Sequence, residues 1–563
     1  MNKKWEFYNI DEAKVKEMME KHNISELLAT VLVNRGIIKE EEVKVFLNPT
    51  RKDFHDPYLM PDMQKAVKRI VNAINKQEKV LIYGDYDVDG ITSVTLLKKF
   101  LKEHGLETGS YIPNRLTEGY GLNREAICQI AKEGYKLIIT VDCGVSGTED
   151  VKYAYSLGME IIITDHHEPL DDLPEAIAVL DCKRKDNKYP FKSLAGVGVV
   201  FKLIQALSQE LKLDEVEYLK YLDIVCIGTI SDIVPLVNEN RVIAKLGLKL
   251  IENTKNFGLK ALLNATGYKI IDSNTVSFGI APRINACGRM GYGEEALQLF
   301  LTENVVTANK ITDELNKYNK ERQEIEKRIF EEAIDIIEEN KLDVNNVIVL
   351  GSEKWHHGVI GIVASKITDK YFKPSILICF DGEDGKGSGR SIHGFDLHDA
   401  LCKSSKYLEK YGGHEMAVGI SIKKDNFENF KTVLEDISKQ AHTEEIISVI
   451  KIDKEINLKD IKIENVVNLK LLEPFGESNN VPVFLYRNLK IDSIRSLSEG
   501  KHLKLTLKDG NTLINAIGFN LGKYVEEFLI GDKIDVLGIL EINSFNGSET
   551  VQINVKDIRR SYV

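Results

Sequence analysis

Short apolar runs alternate with amphipathic stretches from about residue 61 of the chain onward. The segments KVLIYG (79–84), YKLIITVD (135–142) and EIIITD (160–165) are almost continuously apolar, and stretches with helical spacing of apolar positions separate them. Continuous apolar strands are typical of a parallel sheet with both faces buried, and the intervening stretches predict the helices that cover it. The pattern therefore predicts an α/β fold built on a parallel sheet.

Two other segments have a helical pattern. Residues 1–60 predict short helices, with Ser25 as an N-cap and Gly36 as a stop. Residues 301–340 predict one long helix with polar residues on most of its faces. So polar a helix is expected to bridge domains rather than to fill a core.

The last third of the chain changes pattern twice. A second α/β unit begins at VIVLG (347–351) and extends to about residue 445. Beyond it, short alternating strands with turn signals at Asp509-Gly510 and Asn546-Gly547 predict a small antiparallel barrel. The predicted organisation is a helical segment (1–60), a parallel-sheet domain (61–300), a connecting helix (301–345), a smaller α/β domain (346–445) and a β-barrel domain (446–563).

Charge and cysteine content limit the classes of function. The 563 residues carry 75 basic and 86 acidic side chains, a net charge of −11. An acidic protein repels nucleic acid on average, so a phosphate polymer would need a local basic path. Seven scattered cysteines without a CxxC pair do not form a disulfide framework or a zinc finger. The polar N-terminus and the absence of a long apolar run predict a cytoplasmic protein with no membrane partner.

Acidic and histidine residues follow each of the three predicted strands and one predicted helix. In a parallel sheet with helices on both faces, ligands bind beyond the carboxyl ends of the strands, so these side chains are expected to converge. Any one of these aspartates could be only a helix N-cap or a turn residue. Their joint occurrence favours a binding site. The residues are Asp85, Asp87, Asp89, Asp142, Asp165, His166, His167 and Asp232.

The residue types in this cluster indicate the ligand. Packed carboxylates repel one another unless a cation lies between them. Oxygen-rich sites with one or two imidazoles and no thiolate suit Mn²⁺ or Mg²⁺ better than structural Zn²⁺. Two ions that share one carboxylate would activate water and neutralise a phosphate, so the cluster favours hydrolysis of a phosphate ester or anhydride.

Candidate phosphate contacts lie in glycine-containing segments. Arg115 belongs to NRLTEGYG, and the proline and glycine of APRINACGRM predict an exposed loop. Guanidinium groups match phosphate oxygens, although ordinary salt bridges are the alternative. GSGRS (387–391) and GGH (412–414) could approach a phosphate closely or be plain turns. The candidates are Arg115, Arg283, Asn285, Arg289, Ser388, Arg390 and His414.

At these residues the sequence resembles the DHH phosphoesterase superfamily, and most closely its RecJ-type single-strand-specific DNA exonucleases. The resemblance rests on GDYDVDGITS, VDCG, TDHH, GTISDIVPL and APRINACGRM, and on WHHGVIGIVASK, GSGRSI and GGHEMAVG further along. One departure is Leu180-Asp181-Cys182, where family members often have Asn-Pro. No metal ligand is implied at that position, so we expect little functional consequence.

The resemblance implies roles for individual residues. It implies that Asp142 bridges two ions, that Asp85 ligates one ion or supports a ligand, and that Asp165 holds a histidine tautomer. His167 is implied to contact the scissile phosphate or to protonate the leaving group. In an extended backbone, neighbouring histidines cannot both point the same way. The implied metal ligands are Asp87, Asp89, Asp142, His166 and Asp232.

The resemblance also implies the second half of the binding site. The smaller α/β domain resembles the DHHA1 domain, which faces the catalytic domain across a groove, so Ser388, Arg390 and His414 are expected near the terminal phosphate. The barrel resembles an OB-fold, in which aromatics stack on bases. Its aromatics could instead fill the barrel core. The available side chains are Lys504, Phe519, Tyr524 and Phe545.

The implied activity is 5′→3′ hydrolysis of single-stranded DNA to mononucleotides with two Mn²⁺ or Mg²⁺ ions, in DNA repair and recombination. A helicase and a single-strand-binding protein are the implied protein partners. One rival is a phosphodiesterase for short oligonucleotides or cyclic dinucleotides, which shares the metal site; the barrel argues for a longer substrate. The other rival is a non-enzymatic scaffold, against which the complete ligand set argues.

Overall fold

The computed structural model describes residues 3–440, 449–545 and 548–561. The chain forms two compact units. The terminal unit comprises Met1–Phe54, Pro235–Leu246 and Ile447–Val563, and the central unit comprises His55–Val234 and Gly247–Ile446. No helix among the described residues is long and apolar enough to cross a membrane. All seven cysteines are free.

The N-terminal part of the terminal unit is mostly helical, as predicted. Ser25 caps the second helix, where its Oγ accepts a hydrogen bond from Leu28 N (3.4 Å). A short strand that the sequence pattern did not predict precedes the helices and pairs in parallel with Val449–Ile452. The elements are β1 (Lys4–Phe7), α1 (Glu12–His22), α2 (Glu26–Asn34) and α3 (Glu40–Leu47).

The central unit begins with the predicted parallel sheet. Its five strands run in the order β3-β2-β4-β5-β6, and every pairing is parallel. Every residue of β2 and β4 is buried, because helices cover both faces of the sheet. The elements are α4 (Met63–Lys76), β2 (Val80–Tyr83), α5 (Val88–Glu103), β3 (Thr108–Tyr111), α6 (Arg124–Lys132), β4 (Leu137–Val141), α7 (Thr148–Ser156), β5 (Glu160–Thr164) and β6 (Ala178–Leu180).

A helical region follows the sheet. APRINACGRM, interpreted from the sequence as a loop, is a helix that continues from a π-helix at Thr275–Ile280. The prediction of a loop was wrong because Pro282 lies in the first turn of the helix, where proline is well tolerated. The helices are α8 (Gly196–Glu210), α9 (Val216–Leu219), α10 (Leu222–Ser231), α11 (Asn238–Ile251), α12 (Phe257–Thr266), α13 (Ala281–Met290), α14 (Gly293–Leu301) and α15 (Val305–Glu339).

Helix α15 has 35 residues and connects the two halves of the central unit, as predicted. Its first half packs against α12, α13 and α14. Its second half buries Ile329, Ala333 and Ile337 in the core of a second sheet. A narrow apolar stripe is therefore sufficient to dock a helix whose other faces are polar.

The second sheet is mixed, in the order β10-β11-β9-β8-β7. Only the β7–β8 pair is parallel among its pairings; the others are antiparallel. The elements are β7 (Ile348–Ser352), α16 (His357–Tyr371), β8 (Ser375–Asp381), β9 (Asp384–Arg390), α17 (Leu397–Lys403), β10 (Lys410–His414), β11 (Ala417–Lys423) and α18 (Phe427–Gln440).

The C-terminal part of the terminal unit is the predicted barrel, closed by pairing between β14 and β17. Two of its pairings, β13–β14 and β16–β18, are parallel rather than antiparallel. The turn at Asp509-Gly510 is confirmed, and the predicted turn Asn546-Gly547 lies outside the described residues. The elements are β12 (Val449–Ile452), β13 (Lys454–Glu455), α19 (Ile463–Leu469), β14 (Phe484–Leu497), β15 (His502–Asp509), β16 (Thr512–Gly518), α20 (Tyr524–Glu527), β17 (Lys533–Phe545) and β18 (Ser548–Arg560).

Candidate metal centre

Three neighbouring strands of the parallel sheet end next to carboxylates, as predicted. β2 leads to Asp85, β4 to Asp142 and β5 to Asp165. The ladder extends past the strands, because Asp142 N donates to Thr164 O and Asp165 N donates to Leu180 O, each at 3.0 Å. Adjacent strands lie roughly 4.8 Å apart. The sheet therefore holds these carboxylates side by side at one edge.

Asp142 lies at the middle of this edge and is 2% exposed. Its backbone has a φ of 60°, in the left-handed region that Asp tolerates better than most residues. Helix α8 begins directly against it: a Cβ at Gly196 would lie 2.7 Å from Asp142 Oδ1. Only glycine at position 196 leaves room for the carboxylate.

Asp87 and Asp89 lie at the start of α5 and also bond to helix N-termini. Asp87 is the N-cap of α5, and its Oδ1 accepts from Gly90 N (3.0 Å). Asp89 reaches the start of α8, where its two oxygens accept from Gly196 N (2.6 Å) and Val197 N (2.8 Å). Asp87 and Asp89 therefore do accept hydrogen bonds from helix N-termini, as the alternative of an N-cap predicts. The same hydrogen bonds hold both carboxylates near the strand ends.

His166 lies at the centre of the carboxylates. Its Nε2 is 3.2 Å from Asp142 Oδ1, 3.6 Å from Asp232 Oδ2 and 3.7 Å from Asp89 Oδ2. Among the described residues, three groups have ligand atoms within 4.8 Å of one another and could each hold an ion. These groups are Asp85 with Asp87 and Asp142, Asp142 with His166 and His167, and Asp89 with His166 and Asp232.

The protonation states suit a divalent cation. Burial, and then the charge of Asp89, raises the pKa of Asp232 to about 9. Burial, and then Asp87, raises the pKa of Asp89 to about 7. Burial, and then His167, lowers the pKa of His166 to about 3, so its ring is neutral near pH 7. Carboxylates that resist ionisation beside a neutral imidazole gain most when a cation binds between them.

Two buried oxygens provide a direct test of fit. Within the described part of the chain, Asp85 Oδ1 and Asp142 Oδ1 are buried and accept no hydrogen bond. A buried unsatisfied carboxylate oxygen is costly unless a ligand completes it. The donor set of carboxylates and imidazoles therefore fits Mn²⁺ or Mg²⁺.

The two histidines of the DHH triplet lie side by side. Their ring centroids are 4.5 Å apart. Asp165 Oδ1 accepts from His166 N (2.8 Å) and His167 N (3.2 Å), which bends the chain here. The chain bends at His167, so the condition of an extended backbone, under which the two rings would point apart, does not hold here.

Asp165 orients His167 rather than the central His166. Its Oδ1 lies 2.8 Å from His167 Nδ1. Burial would lower the pKa of His167, but the hydrogen-bonded Asp165 outweighs it and raises the pKa. His167 is thus held with one nitrogen towards Asp165 and is the more easily protonated of the pair.

Tyr120 is a site residue that the sequence reasoning missed. Its hydroxyl donates to Asp142 O (3.1 Å) and lies 3.0 Å from His167 Nδ1. The flanking Gly119 and Gly121 both have positive φ, 83° and 90°, which turns the loop back onto the sheet edge. The Gly-Tyr-Gly pattern inside NRLTEGYGL was the available signal.

A basic cluster, defined as Arg115, Arg289, Lys386 and Arg390, lies beside the acidic loop. The guanidinium of Arg115 stacks 5.0 Å from the ring centre of Tyr86. In the sequence, Tyr86 is the residue between Asp85 and Asp87. Lys386 Nζ donates to Leu116 O (3.3 Å), which joins β9 to the Arg115 loop. The basic cluster is a local basic path of the kind that this acidic protein would need in order to bind a phosphate polymer.

Like charges in the basic cluster repel one another. Burial, and then Arg115, lowers the pKa of Arg289 to about 9 and also lowers the pKa of Arg390. Burial, and then Lys386, lowers the pKa of His357 to about 4. An anion bound here would relieve the repulsion, so the basic cluster favours phosphate.

The candidates on α13 have different surroundings. Arg289 Nη1 donates to Gly358 O (3.2 Å) at the start of α16. Arg283 Nε donates to Asn316 Oδ1 (2.7 Å), and its guanidinium also donates to Gly279 O. Arg283 therefore links α13 to α15, and its assignment as a phosphate contact gains no support. Asn285 is half-buried on α13, and its assignment also stays a prediction.

The candidates on the second sheet lie on one face of it. His414 pairs with Ala417, and Ala417 pairs with Arg390, so His414 and Arg390 lie on the same face two strands apart. Arg390 Nη1 donates to Ser388 Oγ (3.1 Å) and Gly389 O (2.7 Å). Ser388 and Arg390 are thus hydrogen-bonded to each other, and the exposed His414 lies in the same cross-strand row as Arg390.

The candidate base contacts in the barrel differ in exposure. Phe519 is 52% exposed and packs edge-on against His502. Tyr524 packs against the barrel core, and its hydroxyl donates to Asp557 Oδ1 (3.2 Å). Lys504 lies half-buried on β15. The Phe545 side chain lies outside the described residues.

Three family models match the chain. The DHH family N-terminal domain matches residues 79–229, the DHHA1 domain matches residues 344–440, and the RecJ OB domain matches residues 452–557. The first match includes every candidate metal ligand except Asp232, which lies just beyond its end, and the other two fall on the second sheet and the barrel.

Curated relatives match over nearly the whole chain. The single-stranded-DNA-specific exonuclease RecJ of Bacillus subtilis is 40% identical over 98% of this chain and 70% of its own length. The RecJ of Haemophilus influenzae is 33% identical over 90% of this chain and 92% of its own length.

A solved structure has the same architecture. The crystal structure of RecJ from Thermus thermophilus in complex with Mn²⁺ superposes with a TM-score of 0.86 at 28% identity, covering 100% of this chain and 80% of that one. The Mg²⁺ complex of the same protein gives a TM-score of 0.80 at 26% identity, covering 100% of this chain and 79% of that one.

Proposed function

The chain belongs to the RecJ family of single-stranded-DNA-specific exonucleases, and we propose that it removes mononucleotides from the 5′ end of single-stranded DNA. It is a metal-dependent phosphodiesterase whose cofactor is Mn²⁺ or Mg²⁺. The observation that carries the proposal is the position of Asp142 in two of the three ion-binding groups, beside the basic cluster. A carboxylate shared by two groups supports a site for two metal ions, and the basic side chains beside it support a phosphate polymer as the substrate.

We propose ligand assignments from this geometry. Asp142 would serve both ions, one held with Asp85 and Asp87 and the other with His166. Asp89 and Asp232 complete the side of His166. Bound divalent ions would polarise the scissile phosphate and lower the pKa of an attacking water.

The chain's own residues move the remaining proton. Hydrolysis joins the water oxygen to phosphorus, breaks the bond from phosphorus to the 3′ oxygen of the terminal nucleotide, and requires a proton on that oxygen. We propose that His167 supplies the proton or contacts the phosphate, and the hydrogen-bonded Asp165, which raises the pKa of His167, supports this role. Tyr120 limits the orientations of the His167 ring.

The basic cluster supports the proposed end recognition. Arg115, Arg289 and Arg390 converge from three different elements, and guanidinium forks bind phosphate oxygens in pairs. A 5′-terminal phosphate bound there would present the next phosphate to the acidic edge. The same placement accounts for release of single nucleotides.

Other assignments stay proposals. We propose the domain bounds 61–300, 346–445 and 446–563 for the catalytic, DHHA1 and OB domains, supported by the three family matches. A role in DNA repair and recombination, a cytoplasmic location, and a helicase and a single-strand-binding protein as partners are predictions that follow from the proposed substrate.

A strand labelled at one end tests the proposal. The protein and Mn²⁺ are incubated with single-stranded DNA labelled at its 5′ or its 3′ end, with a duplex as the control. Early release of the 5′ label as a mononucleotide, without attack on the duplex, is expected. Early release of the 3′ label would contradict the polarity, and cleavage of dinucleotides alone would favour the rival phosphodiesterase.

A further inference from the structure

Ile233 has a backbone conformation that its side chain disfavours. It follows the candidate ligand Asp232 directly, and its φ is 59°. Left-handed backbone is rare for any residue with a Cβ and is a genuine outlier for a β-branched one. An outlier of this kind persists only where the surrounding structure imposes it, and such residues cluster at functional sites.

The position is one that glycine or asparagine would fill more easily. Asp232 ends α10, where its N–H donates to Gly228 O (2.9 Å), and Ile233 N donates to Ile230 O (3.4 Å). A left-handed residue directly after a helix is usually glycine and sometimes asparagine. The backbone here therefore gives no reason for isoleucine.

Packing within the protein also gives little reason for an isoleucine at position 233. The Ile233 side chain is 71% exposed, although it lies beside one of the most buried parts of the central unit. An exposed isoleucine forgoes the burial that would favour a large apolar side chain. Both the conformation and the exposure therefore count against isoleucine in the free protein.

The position of Ile233 beside the candidate metal ligand Asp232 indicates a role for its side chain. The neighbouring Asp232 carboxylate lies 3.6 Å from His166 Nε2, within one of the ion-binding groups. A phosphate held at that edge would bring its own nucleoside close to Ile233, whose side chain is exposed. A nucleobase face is the apolar part of the substrate, so an exposed apolar side chain at this position suits it.

We infer that Ile233 is a positioning residue that packs against the base of a nucleotide flanking the scissile phosphate. This inference rests on the proposed function and adds a base contact to it. An aliphatic side chain offers no hydrogen bonds, so it accepts any base and suits an exonuclease without sequence preference. The Ile233 side chain is exposed and therefore accessible to such a base.

Paired changes in the protein and the substrate test the contact. The variant Ile233→Asn keeps a residue that tolerates left-handed backbone but removes the apolar surface. The substrates are a 5′-phosphorylated oligothymidylate and matched strands with an abasic residue at either nucleotide flanking the first scissile bond. We expect I233N to lower kcat/KM about tenfold on the intact strand, or about 1.4 kcal/mol, and to have little effect on one of the abasic strands.

A control variant separates backbone strain from the base contact. Lys212→Asn changes another left-handed residue after a helix, exposed and outside the site (φ 56°). Both variants should leave the metal-free protein at least as stable in urea unfolding, and K212N should leave kcat/KM unchanged. A loss of stability in I233N alone would assign Ile233 to packing and overturn the inference.

Further outcomes are decisive. An equal loss of kcat/KM on intact and abasic strands would overturn the base contact, as would full activity of I233N on every strand. Anisotropy of a fluorescent oligothymidylate with Ca²⁺ in place of Mn²⁺ compares binding without cleavage. If the unaltered protein binds but does not cleave, the proposed function fails, while the ratio of the two affinities still tests Ile233.

Discussion

Asp142 combines three properties that no other residue of the described chain is seen to share. It belongs to two ion-binding groups, its Oδ1 is buried without a hydrogen bond, and its backbone is left-handed. Burial, and then the neighbouring Asp89, raises its pKa well above the ordinary value. A carboxylate in this state is unfavourable alone and becomes favourable when it bridges cations.

Replacing Asp142 tests the bridge. We predict that Asp142→Ala lowers exonuclease activity by at least about 100-fold at every Mn²⁺ concentration, because one carboxylate serves both ions. Asp232→Ala should be partly rescued by added Mn²⁺, because it belongs to one group only. The control is Asp171→Ala, at an exposed carboxylate paired with Lys185. Rescue of D142A by metal would show that Asp142 is not the bridge.

The raised pKa of Asp232 predicts a pH dependence of stability in EDTA. The pKa rises from 3.8 to about 9 on folding, so this group stabilises the fold fully only below pH 3.8 and loses that contribution as the pH rises to about 9. Asp232→Asn removes the titration. We expect urea unfolding to show a stability gain of D232N over the unaltered protein that increases between about pH 5 and 9.

A Mn²⁺ titration and a control variant with an exposed carboxylate test the predicted protonation of Asp232. Added Mn²⁺ should stabilise the unaltered protein more at high pH than at low pH, since ions bind ionised carboxylates. Asp171→Asn should have a flat difference over the same range. Parallel pH profiles for D232N and the unaltered protein would contradict the predicted protonation of Asp232.

At the scale of elements, helix N-termini organise the metal centre. The start of α8 donates two backbone hydrogen bonds to Asp89, and α5 begins at Asp87. Backbone donors and the helix dipole stabilise a carboxylate charge where the carboxylates would otherwise repel one another. The helices thus hold the ligands in place as well as covering the sheet.

Glycine at the start of α8 tests this arrangement. We predict that Gly196→Ala lowers Mn²⁺ affinity and activity about tenfold or more, because its Cβ would lie 2.7 Å from Asp142 Oδ1. Gly198→Ala is the matched control in the same helix, where the nearest atom is a Leu194 side-chain carbon at 3.3 Å. Calorimetric Mn²⁺ titration checks the result, and equal affinities of the two variants would contradict it.

At the scale of the whole molecule, distant parts of the sequence meet in each compact unit. Both chain ends share the terminal unit with residues 235–246. There the buried guanidinium of Arg241 donates to Phe46 O (2.6 Å), Leu472 O (3.0 Å) and Glu473 O (3.0 Å). Within the central unit, the basic cluster joins loops and helices of the first sheet to the second sheet.

Arg390 tests the contribution of the second sheet. We predict that Arg390→Ala lowers kcat/KM about tenfold on 5′-phosphorylated strands and less on unphosphorylated strands, because it removes a phosphate donor. Lys370→Ala, at the far end of α16, is the control. Equal losses on both kinds of strand would assign Arg390 to general strand binding.

The sequence alone determined the parallel sheet and indicated most of the candidate site, because both depend on local patterns. Buried strands with acidic residues at their carboxyl ends predict a shared edge, and Asp85, Asp142 and Asp165 lie there. The spacing of TDHH and GTISDIVPL within the resemblance supplied His166 and Asp232. The short β1 escaped prediction because its pairing with β12 joins residues at opposite ends of the chain.

Only the tertiary structure decided features that depend on contacts between remote segments or on backbone angles. The helical state of APRINACGRM, the bend that brings His166 and His167 together, and the partners of Arg283 all follow from such contacts. Tyr120 reaches Asp142 O only because the fold closes a loop over β4. The left-handed backbone of Ile233 leaves no trace in local composition, because the residue type there opposes the conformation that the fold imposes.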